Sequence, residues 1–263
     1  FNAELVLTAN KHYWDGAPAC EGLILKVIPD EATARMMFEN GELDILDMDN
    51  NSSQLEYFLN NETYKDQIVS GVRVGIYYIC LNEKFTELSD ARVRKALQYS
   101  IDRQAILDSL YAGLGELENG IFPHGLIGYN ADLPEIPYDV DQAKELLAEA
   151  GYPDGFEMEL CYSSDAGQTT KDMLEIISAY WAEIGVTAKV TEVDEGSFYD
   201  MRAAGEIEAY TSNWSADFND PDNFVYSFFG NEGNIERRGF GYSNSEAIAR
   251  VAAARAIVDE DKR

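Results

Sequence analysis

Apolar positions follow two periods along this chain. "ELVLTAN" and "GLILKVIP" are short Leu- and Val-rich runs bounded by turn formers, and they predict strands. "KHYWDGAPA" between them carries the Asp-Gly and Pro of a connecting loop. Asp30 follows a proline and precedes "EATARMMFENG", which predicts a helix capped by the Asp30 carboxylate and closed by Gly41. "ELDILDM" predicts a returning strand, and the polar "NNSSQLEYFLNNETYKDQ" predicts a short helix. "VRVGIYYICLN" is apolar on both faces and predicts a central strand or a crossing between layers.

From Leu88 the period becomes helical. Val93, Ala96, Leu97 and Ser100 share a face behind Ser89 or Asp90 as cap; Asp102 opens a second helix with Ile106, Leu107 and Leu110 inward, ending near Gly113. "GIFPHGLIGYNADLPEIPYD" has no period and predicts a long loop of the kind that often carries function. Asp139 and Gln142 form a capping box ahead of Ala143, Leu146, Leu147 and Ala150, and Gly151 ends that helix. "FEMELCY" alternates as a half-buried strand, and a helix follows with Met173, Leu174, Ile177, Trp181 and Ile184 on one side. "VTAKVTEV" predicts a strand, "GSFYDMRAAG" a short helix capped by Ser197, and "EAYTSNW" a last strand. This alternation predicts an α/β fold with helices covering a sheet.

Charge narrows the function classes. The 263 residues carry 48 acidic and 20 basic side chains, a formal net charge of -28. Phosphate contacts need clustered Lys and Arg, so nucleic-acid binding and docking on anionic lipid are excluded. The balance fits a protein working outside the cytoplasm or capturing cationic ligands. Cys20, Cys80 and Cys161 are odd in number and lack the spacing of a zinc site or a disulfide framework; Cys80 and Cys161 sit in apolar runs and read as core.

Catalytic motifs are missing. No G-x-S-x-G and no glycine-rich phosphate loop occurs, and the two histidines, His12 and His124, have no evident partners. "DMDNNS" from Asp47 starts like a calcium loop but places Ser52 where glycine and Phe58 where glutamate are needed, so it reads as a solvated acidic turn. A carboxylate pair for glycan hydrolysis stays open as an alternative, because its separation is spatial.

"WSADFNDPDNF", Trp214 to Phe224, concentrates candidate chemistry. Asp220 and Pro221 read as a helix start, and Asp222 as a first-turn acid favoured by the helix dipole. Phe224, Val225 and Phe228 form the inward face of that helix. Asp217 alone has no such structural role.

Several ordered blocks resemble the extracellular solute-binding proteins of peptide ABC importers, the dipeptide, oligopeptide and nickel binders of family 5. They are "YWDGAPACEGLILKVIPDEATARMMFENGELDI", "YYICLNEKFTELSDARVRKALQYSIDRQAILDSLYAGLGE", "YDVDQAKELLAEAGYPDGF", "WAEIGVTAKV" and "WSADFNDPDNF". The resemblance implies a two-lobe, class II periplasmic-binding-protein-like fold. Residues 1–74 would be part of lobe I and residues 75–263 most of lobe II, with a hinge strand near 75–82. Members of the family are longer, so the chain reads as a fragment lacking N-terminal and C-terminal parts.

The implied function is not enzymatic. It is capture of peptides outside the cell or in the periplasm and their delivery to permease subunits. The protein would be monomeric, without cofactor or metal, and held at the membrane only by a lipoprotein anchor outside this chain. By resemblance Asp217 pairs with the peptide α-ammonium, shielded by Trp214 and Phe218, while Asn213, Tyr162 and Tyr129 line the cleft. A histidine matters in nickel-binding relatives, which draws attention to His124. The stretch "SSDAGQTTKD" lacks the arginine with which dipeptide binders hold the peptide carboxylate, and Lys171 falls on a helix. A fixed-length dipeptide clamp is therefore not expected. A longer peptide held mainly through its backbone stays open beside a non-peptide solute, such as a nickel complex or an oligosaccharide.

Overall fold

The computed structural model describes residues 4–48, 52–71, 73–259 and 262. The chain divides into two compact units, Phe1–Ile68 and Val69–Arg263.

In the first unit, β1 (Glu4–Thr8) pairs antiparallel with β2 (Gly22–Lys26), Glu4 opposite Lys26 and Thr8 opposite Gly22. Every residue of both strands is exposed. Helix α1 (Glu31–Glu39) starts where expected, with the Asp30 carboxylate accepting from the Thr33 amide at 2.7 Å, and Gly41 follows it at φ 76°. A 3₁₀ turn at Ser52–Gln54 leads into α2 (Leu55–Asn60), whose buried Phe58 packs edge-on against Phe38 and Tyr64. The strand expected over "ELDILDM" does not form; residues 42–48 are irregular and Ile45 is 80% exposed. A strand exists only through a partner, and this run pairs with none among the described residues. The acidic turn read at Asp47 extends over residues 49–51, which lie outside the described residues.

The second unit opens with β3 (Gly75–Leu81), followed by α3 (Thr86–Ser89), α4 (Ala91–Tyr99) and α5 (Arg103–Leu110). After the long loop come α6 (Val140–Glu149), β4 (Glu157–Ser163), α7 (Gly167–Glu183), β5 (Thr187–Val193), α8 (Glu195–Ala204) and β6 (Ala209–Ser215). Three helices close the order: α9 (Asp222–Phe229), α10 (Glu232–Arg237) and α11 (Ser245–Ala254). Carboxylates cap the starts of α4, α5, α6 and α8 from Asp90, Asp102, Asp139 and Asp194. The last corrects Ser197, whose amide is the donor to Asp194 and not the cap.

The sheet order is β3-β6-β4-β5, with β3 antiparallel to β6 and the other pairs parallel. One face meets α4, α6 and α7 around Leu97, Leu147, Leu160, Leu174 and Trp181, and the Trp181 indole donates to the Leu97 carbonyl at 3.0 Å. The other face buries Cys80, Cys161 and Tyr210 against Phe198 of α8 and Ile207. Helices thus cover both faces of the sheet, the α/β architecture that the alternating pattern predicts. Burial pushes the Cys80 thiol up to about 12 and the Cys161 thiol to about 11, which fits inert core residues.

β3 lies at the sheet edge and not at its centre. Ile79 and Leu81 face one helical layer and Tyr78 and Cys80 the other. Two-sided apolarity therefore records cover on both faces, and it is silent about hydrogen-bonding neighbours.

Candidate functional site

Strands β4, β5 and β6 run parallel, so Ser163, Val193 and Ser215 end at one edge of the sheet. Open α/β sheets present their binding crevices beyond such carboxyl ends. An acid follows each strand: Asp165, Asp194 and Asp217. Asp165 accepts from the Ser163 hydroxyl and Asp194 caps α8. Asp217 is exposed at the start of the connection to α9.

Alternation along β6 sends neighbouring side chains to opposite faces. Trp214 is half-buried on the α9 side, its ring edge-on to Phe228 at 5.7 Å and beneath the Arg238 guanidinium at 4.5 Å. Arg238 is itself 6% exposed and donates through Nε to the Ser227 carbonyl at 2.9 Å, and burial lowers its pKa. Asn213 points to the other face, opposite Tyr77, whose ring stands 6.4 Å from that of Tyr111. The pair Asn213 and Trp214, adjacent in sequence, therefore cannot line one surface.

Asn223, buried in the first turn of α9, organises the connection. Its Oδ1 accepts from the Trp214 indole at 3.0 Å and from the Asp217 amide at 3.3 Å, while its Nδ2 donates to Asp217 Oδ2 at 3.1 Å. Asp220 Oδ1 accepts from the Asp222 amide at 2.8 Å, and Asp222 pairs with Arg255 Nε at 2.9 Å. The helix begins one residue later than its Asp-Pro signal suggests, with Pro221 at the cap position. Both acids still have the structural roles that the sequence assigns them.

The long loop is fixed against this connection. Arg103 donates to the Glu118 carbonyl at 2.6 Å, to Asn119 Oδ1 at 3.1 Å and to the Ile136 carbonyl at 3.2 Å, which clamps both ends of the loop. Asn219 donates to the Gly125 carbonyl at 3.0 Å and accepts from the Ile127 amide at 3.1 Å. His124 and Tyr129 meet edge-on at 5.3 Å on this stapled segment, and His124 Nδ1 lies 3.6 Å from Glu116. Partial burial, then the Glu118 and Glu116 carboxylates, pushes the Tyr129 phenol up.

Of the residues expected at the site, Asp217, Phe218 and Tyr129 lie on these two stapled loops. Tyr162 does not: it is 4% exposed, packs in the core and donates to Glu192 at 2.9 Å, so it has no surface to offer a ligand. Asp217 and Phe218 are both exposed, Phe218 to 53%, and the Trp214 indole is engaged with Phe228 and Arg238. His12 lies in the first unit, where its amide bonds Asn10. No group of His, Cys, Asp and Glu among the described residues could hold a metal ion. Asn219, Asn223 and Arg103 were not singled out by the sequence. Their role arises from amide and guanidinium groups meeting backbone after the chain has folded back.

Comparison with known proteins identifies relatives. A sequence model of the bacterial extracellular solute-binding proteins, family 5, matches residues 1–236. Heme-binding protein A of Haemophilus influenzae is 30% identical over 260 residues, 97% of this chain and 47% of that protein. The dipeptide-binding protein of Escherichia coli K12 is 28% identical over 257 residues, 95% of this chain and 47% of that one. The ABC transporter-associated periplasmic binding protein DppA of Helicobacter pylori, solved with the peptide STSA, superposes with a TM-score of 0.85 at 23% identity, covering 99% of this chain and 50% of that one. The chain therefore has the periplasmic-binding-protein fold and spans about half the length of the relatives it matches. The chain belongs to the bacterial extracellular solute-binding proteins of family 5.

Proposed function

We propose that the protein is the substrate-binding component of an ABC importer, capturing peptides outside the cytoplasm and handing them to permease subunits. One observation carries the ligand side of this reading. Asp217 sits beyond the carboxyl end of β6, exposed, with one carboxylate oxygen held by a buried amide and the other without a hydrogen bond among the described residues. Such a group suits the α-ammonium of a peptide, because a pre-oriented carboxylate forms a charge-assisted hydrogen bond without first losing its own freedom. The names of relatives, a dipeptide binder and a heme binder, support capture of small solutes in general and peptides in particular.

The two units are read as part of lobe I and most of lobe II of a closing two-lobe binder, acting as a monomer at the cell surface through a lipoprotein anchor. No helix among the described residues is long and apolar enough to cross a membrane. Binding, not catalysis, is proposed because the family is one of solute-binding proteins.

In the full-length protein, Asp217→Asn should weaken binding of free-amine peptides about tenfold or more, the usual range for a hydrogen bond to a charged group. N-acetylated peptides should be little affected. Calorimetry with both peptide forms checks this. Equal losses for the two forms, or none, would remove the ammonium role.

A further inference from the structure

We infer that Asn223 is a positioning residue for the ligand carboxylate: its buried amide holds Asp217 in place as an acceptor and ties it to the Trp214 indole. This rests on the reading of Asp217 given above. Asn223 is 4% exposed, although its side chain is polar, and a buried amide is retained only when its hydrogen bonds are met. Its orientation follows from its neighbours. The Trp214 indole at 3.0 Å and the Asp217 amide at 3.3 Å can only donate, so the atom they face must be the carbonyl Oδ1. Nδ2 is thereby turned to Asp217 Oδ2 at 3.1 Å, where an acceptor is required.

Aspartate, the near-isostere of asparagine, probes this arrangement. Aspartate at 223 would keep both bonds to Oδ1, but it would set a second carboxylate against Asp217 Oδ2. Two carboxylates at that separation cannot both stay ionised, so one takes up a proton and its pKa rises. The proton settles on the more buried aspartate at 223, whose hydroxyl donates to Asp217 Oδ2 as the amide does; the pair keeps the single negative charge of the wild type, and its second ionisation is shifted upward. A residue that only packed α9 against β6 would show no such effect.

Two measurements test this. Carboxyl NMR titration of the chain carrying Asn223→Asp should show one group titrating well above the ordinary carboxylate range, and adding Asp217→Asn should abolish it. In the full-length protein, a mixed tripeptide library in free and N-acetylated forms is allowed to bind, and the retained peptides are weighed by mass spectrometry. Wild type should prefer the free form about tenfold or more, as a charge-assisted bond implies. Asn223→Asp should keep that preference, because its protonated carboxyl donates to Asp217 as the amide does. Asn223→Ala, which offers Asp217 no donor, should lose most of it.

A folded Asn223→Ala protein with the wild-type preference, or an Asn223→Asp protein without the raised titration, overturns the role of Asn223 while leaving Asp217 its own. A wild-type protein without preference, or an Asp217→Asn protein that keeps it, overturns the reading of Asp217 itself. Should Asn223→Ala fail to fold, the carboxyl titration of Asn223→Asp decides alone.

Discussion

Single side chains in this protein act through the backbone groups that they satisfy. Asp90 accepts from the Arg92 amide at 2.8 Å and from its guanidinium at 2.6 Å, and so closes the start of α4. The hydrogen bonds from the Arg92 side chain, then from its amide, lower the Asp90 pKa from 3.8 to about 2. A depressed folded pKa means stabilisation that is complete above the unfolded value near 3.8 and lost as pH falls through about 2. The difference in melting temperature between wild type and Asp90→Ala should therefore be steady above about pH 5 and shrink toward pH 2. A difference constant down to pH 2 would contradict this assignment. Such caps are legible in sequence because donor and acceptor lie two or three residues apart, as at Asp30, Asp90 and Asp139. Asn223 was not, because its three bonds converge only when the end of β6 folds back on α9. What the sequence did single out was Asp217, by leaving it without a local partner.

At the scale of elements, helix faces could be read from periodicity because each helix carries its own hydrogen bonds. The apolar stripe of α7, Met173 through Trp181, is buried as predicted. Strand order could not be read this way. β3 reads as a central strand or a crossing between layers and lies at the edge of its sheet, and "ELDILDM" has a strand's composition without a partner among the described residues. The turns before β4 and β5 show a second kind of long-range constraint. Gly155 has φ 76°, and a Cβ there would stand 1.9 Å from the Gly185 carbonyl oxygen, while Gly185 itself has φ 85°. The two glycines let the entries to neighbouring parallel strands touch backbone to backbone. Gly155→Ala should thus destabilise the chain by about 2 kcal/mol or more, combining backbone strain with a clash that only a backbone shift relieves. Gly151, at φ 97° with nothing within 4 Å, provides the control. Its change to alanine should cost about 1 kcal/mol of left-handed strain alone. Urea unfolding of both variants measures the contrast, and equal losses would show that the Gly155–Gly185 approach is not a constraint.

Across the whole molecule, burial is distributed unevenly between the two units. The second has a sheet covered on both faces, whereas the buried apolar side chains of the first among the described residues are Ala34 and Phe58. Leu5, Val6, Leu23 and Ile24 of the β1–β2 pair are 47–56% exposed, on strands with no third neighbour among the described residues. A two-stranded pair with no covered face is marginal in water, and its amides open with little cost. The chain spans 47% of the length of the relatives named above, so a protein of their length has further sequence with which to cover such a pair. Hydrogen exchange on the 263-residue chain should then find the amides of Glu4–Thr8 and Gly22–Lys26 exchanging far faster than those of β4 and β5. In the full-length protein the same amides should gain protection while those of β4 and β5 change little, because their covering helices α7 and α8 are already in place. Protection of β1 and β2 equal to that of β4 in the 263-residue chain would mean that the pair is stable without cover, and the link between its exposed apolar residues and a missing layer would fail.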